Sequence, residues 1–255
     1  MDSQSSATGA MLTSSRMEKR AIGESLVDSL ADSFSDAVAE AKPRLRGWLH
    51  LASAPLTLAA GIVLFALSPT ASTRVGSAVY AASALLLFTV SAVYHRGHWS
   101  PRVHGVLRRF DHANIFLLIA GTYTPYTVVF LHGSQRVVLL TVVWSVAVLG
   151  VLFKVFWIGA SKWIYMPIYI GMGWTGVFYI PSFIESSDRL GVGIATAVLV
   201  AVGGALYTLG GLVYSIRRPN PWPSWFGFHE IFHTLTILAF VTHYVGISMA
   251  VYSLR

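Results

Sequence analysis

Val137-Val-Leu-Leu-Thr-Val-Val-Trp-Ser-Val-Ala-Val-Leu-Gly-Val-Leu-Phe153 contains no charged residue, and the apolar character continues past Lys154 to Trp157. About 20 such residues, wound as a helix, match the hydrocarbon thickness of a bilayer. Working outward, comparable stretches recur, giving spans at 48–68, 76–95, 110–131, 137–157, 163–183, 190–216 and 226–252. The stretch near residue 110 is less uniform than the other six. Hydrophobic residues make up 55% of the 255 and charged residues only 11%, too apolar a balance for an ordinary soluble domain. The expectation is an all-α polytopic membrane protein, a bundle of seven transmembrane helices.

The net charge of +7 points to topology rather than to nucleic acid, because the basic residues sit between apolar runs and form no tail or face that could track phosphates. Fourteen of the 18 Lys and Arg fall before span 1, after span 2 or around the later even-numbered loops; Arg74, Arg136, Arg189 and Arg255 fall on the other side. The positive-inside rule then predicts a cytoplasmic N-terminus, an external C-terminus and residence in the plasma membrane. Residues 1–15 are rich in Ser and Thr and read as a disordered tail. Between 17 and 41, Ile22, Leu26, Leu30, Phe34 and Val38 recur every fourth residue with acids two positions on, which predicts an amphipathic helix. Residues 1–41 are thus expected as a cytoplasmic extension and 42–255 as the membrane domain. A cleavable signal peptide is not expected, since the first long apolar run begins near Trp48.

Cysteine is absent, so any metal must be held by His, Asp or Glu. Ionisable residues within spans are costly and mark function by default. Outside the N-terminal extension the acids are Asp111, Glu185, Asp188 and Glu230, and the middle two fall in a loop. Span 7 opens with His229-Glu-Ile-Phe-His233, whose two imidazoles project from one helix face. Span 2 ends with Ser91-Ala-Val-Tyr-His95, again an i, i+4 pair, and span 3 begins with Phe110-Asp-His112. Counting crossings from a cytoplasmic N-terminus brings these three segments to the cytoplasmic end of the bundle. Three neutral histidines and a water make an open tetrahedral site, the pattern of catalytic rather than structural zinc.

The literal H-E-x-x-H also suggests a zincin-type protease with Glu230 as base. No third ligand follows: Ala239 occupies the position of the metzincin histidine, and Glu230 projects about 100° away from either histidine. His98, His104 and His132 read as solvated loop residues and His243 as a helix-packing residue with a hydrogen-bonded tip, while His50 starts span 1 on the metal side with its role left open between contact with the site and none. Gly171, Gly173, Gly203, Gly204, Gly210 and Gly211 read as sites of close helix packing. Trp48, Trp99, Trp157, Trp222 and Trp225 suit an interfacial belt.

Three segments together, Ser91-Ala-Val-Tyr-His-Arg96, Phe110-Asp-His-Ala-Asn-Ile-Phe-Leu-Leu-Ile-Ala-Gly-Thr-Tyr-Thr-Pro125 and Phe228-His-Glu-Ile-Phe-His233, resemble the hemolysin III branch of the progestin and adipoQ receptor (PAQR) superfamily. The likeness covers roughly residues 42–252. It implies a seven-helix fold with zinc on the histidines matching His95, His229 and His233. Asp111 matches the family's aspartate that holds a zinc-bound water, and Ser91 its serine near the metal. Relatives often carry Gln at the position of Glu230, and the usual Asn near the start of span 1 is not evident beside His50.

The resulting expectation is a zinc-dependent hydrolase of lipid amide or ester bonds, similar to the ceramidase-like activity attributed to receptor relatives. Its Zn2+ would be held by the three histidines, with Asp111 and Ser91 as catalytic groups. The partner is a membrane lipid, sphingolipid or fatty-acid-like, and not a nucleic acid. Two other readings stand beside it: a cytolytic or pore-forming protein, and a lipid-sensing regulator with structural zinc. Against a constitutive pore, the spans lack rings of charge.

Overall fold

The computed structural model describes residues 43–157 and 162–255. The tail and amphipathic helix expected over 1–41 lie outside the described residues. Residues 44–255 form one compact unit. Its helices are α1 (Trp48–Leu67), α2 (Ala71–Arg96), α3 (Pro101–Phe130), α4 (Gly133–Phe156), α5 (Lys162–Trp174), α6 (Ile180–Arg189), α7 (Gly193–Ile216) and α8 (Phe228–Tyr252), with a 3-10 turn at Thr175–Tyr179 between α5 and α6. Among the described residues six helices, α1 to α4, α7 and α8, are long and apolar enough to cross a membrane. This is a polytopic, all-α membrane protein.

Antiparallel neighbours follow from short connections: α1 packs on α2, α2 on α3, α3 on α4 and α7 on α8, while α1 also meets α8. The central helix is α3, with 72% of its most apolar window buried against 22% for α1. It touches α2, α4, α5, α6 and α8. Two apolar clusters flank it, one built around Tyr80, Phe88, Phe130 and Phe240 and the other around Phe116, Leu139, Val143 and Tyr169. Its burial explains the weaker apolar signal: a helix shielded by protein on most sides can carry Asp111, Asn114 and several threonines.

Two differences from the sequence expectation shape the site. The third helix starts at Pro101, nine residues before the expected 110, because Pro at the first helical position is favourable and needs no N–H partner. Asp111 therefore lies in its third turn, well inside the bundle. The expected fifth span, 163–183, is broken into α5, the 3-10 turn and α6. Pro167, Gly171, Gly173, Gly176 and Pro181 lower helix propensity across this stretch. The Tyr123 hydroxyl of α3 repairs the break by accepting the Gly176 N–H (2.8 Å) and donating to the Gly173 carbonyl.

The glycines divide differently from the expectation. Gly203 is a close-packing site as expected, a Cβ there lying 2.5 Å from His243 Nε2, and so are Gly61 and Gly150, where a Cβ would lie 2.6 Å from the Ala81 Cβ and 2.5 Å from the Phe116 ring. Around Gly171, Gly173 and Gly204 a Cβ would meet nothing within 4 Å. Gly173 and Gly204 instead line an internal cavity. The expected close packing therefore holds at Gly203 and, by ordinary contact with Phe232 and Leu235 of α8, at Gly210, and fails at Gly171, Gly173 and Gly204.

Gly61→Ala should therefore destabilise the α1–α2 contact by about 1–3 kcal/mol, the usual cost of overpacking. Gly171→Ala should leave the melting temperature unchanged or slightly raised, since the added methyl meets only open space and alanine favours the helix. Thermal unfolding of the two purified variants in one detergent checks the contrast; equal melting temperatures would contradict it.

Candidate metal centre

His95 sits in the last turn of α2, and His229 and His233 lie one turn apart at the start of α8. One ring nitrogen from each falls within 4.8 Å of the others, so these three form a group that can hold a metal. His95 Nε2 and His229 Nε2 are 3.3 Å apart. Tetrahedral zinc with bonds of about 2.0–2.1 Å places its ligand atoms about 3.4 Å apart, so this pair already has the spacing of two ligands. The donor set of three imidazoles, without thiolates, suits zinc among other divalent metals. His95 and His233 are buried and His229 is partly buried. In addition, His233 Nδ1 has no hydrogen-bond partner among the described residues.

The neighbours complete a polar pocket. Asp111 Oδ2 lies 3.9 Å from His95 Nε2. Ser91, one turn before His95 on α2, is buried with its Oγ unpartnered among the described residues. His50 stacks flat on His233, ring centroids 3.9 Å apart and planes 14° from parallel. His50, whose role the sequence left open, is thus a wall against the His233 ring. His112 turns the other way, its Nδ1 2.7 Å from the Arg108 carbonyl and its Nε2 3.3 Å from the Tyr214 hydroxyl. His98 and His132 are exposed, as expected, whereas His104 lies within α3 with its ring 5.0 Å from that of Tyr94.

Glu230 is fully buried but faces away from the histidines. Its Oε1 accepts from Arg46 Nε at 3.0 Å, and its Oε2 accepts from the Gly227 N–H at 2.9 Å. One carboxylate thereby caps α8 and ties it to the segment before α1. That segment is fastened twice more: the Arg44 N–H donates to the Ser224 carbonyl (3.0 Å), and the Arg44 guanidinium lies 4.7 Å from the Trp225 ring centre. Gly47 turns the chain with φ +81°, and a Cβ there would lie 2.9 Å from the His95 Cβ. Sequence reasoning missed Arg46 because it stood in a basic run read only as an orientation signal. The partial signal was Glu230 itself, three residues after a glycine at a helix start.

From these contacts come two expectations. Breaking a buried ion pair by removing one partner typically costs about 3–5 kcal/mol. Glu230→Ala and Arg46→Ala should each lower stability on that scale, and the double variant should lose far less than their sum. Chemical denaturation of the three variants measures this; strict additivity would mean that the two residues act separately. Purified protein should carry about one metal per chain, lost in His95→Ala, His229→Ala and His233→Ala but kept in His243→Ala. Elemental analysis finding full metal in His233→Ala would rule out the triad.

Above the metal group runs a cavity of about 230 Å³, reaching from Ser91, Asp111 and His233 past Tyr207 and His243 to Phe130, Phe183 and Thr196. Its walls come from α3, α5 to α8 and the 3-10 turn, with His50 of α1 and Leu87 and Ser91 of α2 at the metal end, and most of its lining residues are apolar.

This arrangement agrees with what comparison with known proteins finds. The chain is 34% identical over 145 residues to Hemolysin-3 of Bacillus cereus, covering 57% of this chain and 64% of that protein. It is 30% identical over 159 residues to the Hemolysin-3 homolog of Bacillus subtilis, covering 62% and 69% respectively. It is 32% identical over 162 residues to the Adiponectin receptor protein of Drosophila melanogaster, covering 56% of this chain but only 35% of the receptor. The matches thus span about two thirds of the bacterial relatives and about a third of the insect one. The family model described as Haemolysin-III related matches residues 38–244, all three histidines included. With its helical membrane bundle and its likeness to both hemolysins and an adiponectin receptor, the chain belongs to the haemolysin-III-related family within the PAQR superfamily.

Proposed function

We propose that this protein is a zinc-dependent hydrolase of lipid amide or ester bonds. The observation that supports it is the convergence of three histidines, Asp111 and the buried Ser91 hydroxyl at the end of an apolar cavity. Apolar walls suit an acyl chain, and the polar end suits the bond to be cleaved. Zinc bound there supplies Lewis acidity toward a carbonyl oxygen and makes water a better acid near neutral pH. Asp111 takes the proton from the attacking water as its oxygen bonds to the carbonyl carbon. Ser91 Oγ donates a hydrogen bond to the carbonyl oxygen as negative charge develops there. The carbon–nitrogen or carbon–oxygen bond then breaks, and Asp111 returns the proton to the leaving amine or alcohol. His50 keeps the His233 ring in place, while Glu230 and Arg46 hold the start of α8 and take no proton.

A cytolytic role is the second reading, carried by the names of the Bacillus relatives. The mostly apolar lining of the cavity does not support an ion path through one chain. A lipid-sensing regulator with structural metal would use the same cavity without turnover. In our reading the bundle lies in the plasma membrane, with the N-terminus and the metal centre on the cytoplasmic side, the orientation that the distribution of Lys and Arg favours. Reporter fusions should place the N-terminus inside and Arg255 outside; the same side for both would remove a crossing.

Asp111→Asn keeps the volume and removes the charge. It should retain metal yet lose roughly 100-fold or more in hydrolysis of lipid amides, the scale of a general acid–base group. Unchanged turnover in this variant would eliminate the mechanism. Leakage from liposomes without hydrolysis by the wild type would favour the cytolytic reading, and lipid binding with neither activity would favour the regulator.

A further inference from the structure

Polar groups in the cavity wall fall into two sets. The first donates within the protein: Thr122 to Leu118, Thr196 to Val192, Thr208 to Gly204 and Thr236 to Phe232, each to the carbonyl one turn earlier. The tyrosines Tyr123, Tyr126 and Tyr169 also donate to backbone carbonyls. The second set has buried atoms with no hydrogen-bond partner among the described residues, and it occurs at two depths. One depth is the metal centre, with His50, Ser91 and His233; the other is His243 Nδ1 and Tyr207 Oη.

The second depth is built rather than incidental. The His243 ring is 94% buried, lies parallel to the Tyr207 ring at 5.7 Å and meets Tyr126 edge-on at 6.0 Å. Gly203, one turn before Tyr207 on α7, makes room for it: a Cβ there would lie 2.5 Å from His243 Nε2. Tyr126 donates to the His243 carbonyl at 3.2 Å and so anchors α8 at this level. The hydrogen-bonded tip expected for His243 is therefore absent among the described residues, although its packing is tight. Two unpaired polar atoms in an apolar cavity are costly unless something else pairs with them.

We propose that His243 and Tyr207 form a second polar subsite, which takes a hydroxyl group carried part-way along the chain of a bound lipid. A hydroxyl both accepts and donates. It accepts from the Tyr207 O–H and donates to the neutral imidazole at Nδ1, satisfying both orphaned atoms at once. Ten residues of helix separate His243 from His233, a rise of about 15 Å. A lipid whose polar end lies at the histidines thus presents its hydroxyl about that far along its chain. The inference rests on the reading that the cavity holds a lipid, and it adds which lipids the cavity prefers.

Equilibrium binding to the purified full chain decides it, with stearate and a hydroxystearate carrying its hydroxyl about 15 Å from the carboxylate as probes. The wild type should bind the hydroxylated probe about 10-fold more tightly, the worth of roughly one well-placed buried hydrogen-bonded pair. Tyr207→Phe preserves the stacked ring and should abolish the preference while leaving stearate affinity unchanged. His243→Leu should do the same if it folds, and Tyr207→Phe alone suffices if it does not. Equal binding of the two probes by the wild type would overturn the proposal and assign the subsite to water. A preference that survives Tyr207→Phe would overturn it as well. Stearate binding without preference sinks only this inference, whereas binding of neither probe removes the lipid-cavity reading along with it.

Discussion

A polar atom inside a bundle this apolar has no bulk water to pair with, and this constraint organises the whole molecule. Threonine and serine hydroxyls in α3, α7 and α8 donate to the carbonyl one turn earlier, as Thr124 does to Ala120 and Ser215 to Gly211, both at 2.8 Å. Where α5 gives way to the 3-10 turn, the Tyr123 hydroxyl takes up freed backbone groups. The buried carboxylate of Glu230 has a guanidinium and a backbone N–H. Among the described residues the buried polar atoms of the cavity wall that lack such a partner belong to Ser91, His50, His233, Tyr207 and His243.

One wall of the cavity is not a continuous α-helix. Proline and glycine interrupt the stretch from α5 to α6, and the 3-10 turn between them sets Gly176 and Val177 in the wall. Irregular backbone at membrane depth is tolerated where protein or a cavity lies beside it. The residues of low helix propensity that interrupt this stretch thus lie beside the space above the metal group.

The H-E-x-x-H sequence takes its meaning from which way the middle acid points. A helix turns about 100° per residue, so Glu230 leaves the histidine face and finds Arg46 beneath the start of α1. Its job is mechanical: it caps α8 and clamps the two chain segments that flank the metal group. The acid beside the histidines comes from another helix altogether, Asp111 of α3.

Much of this was legible in the sequence, because hydrophobic length and charge placement act locally. Apolar runs of bilayer thickness gave the helices, and i, i+4 spacing put His229 with His233 and Ser91 with His95 on shared faces. Crossing parity then brought His95, Asp111 and the span 7 pair to one end of the bundle, where the structure has them. Other features depend on contacts between residues far apart in the chain, which periodicity does not encode. The Arg46–Glu230 clamp joins positions 184 residues apart, and the stack of His50 on His233 joins α1 to α8. The early start of α3 was hidden because its first turns are polar enough to read as loop. Gly171, Gly173 and Gly204 were misread where Gly203 was not, because whether a helix face meets a neighbour or a void is decided by how α5 and α6 lie beside α7, and only tertiary structure places them.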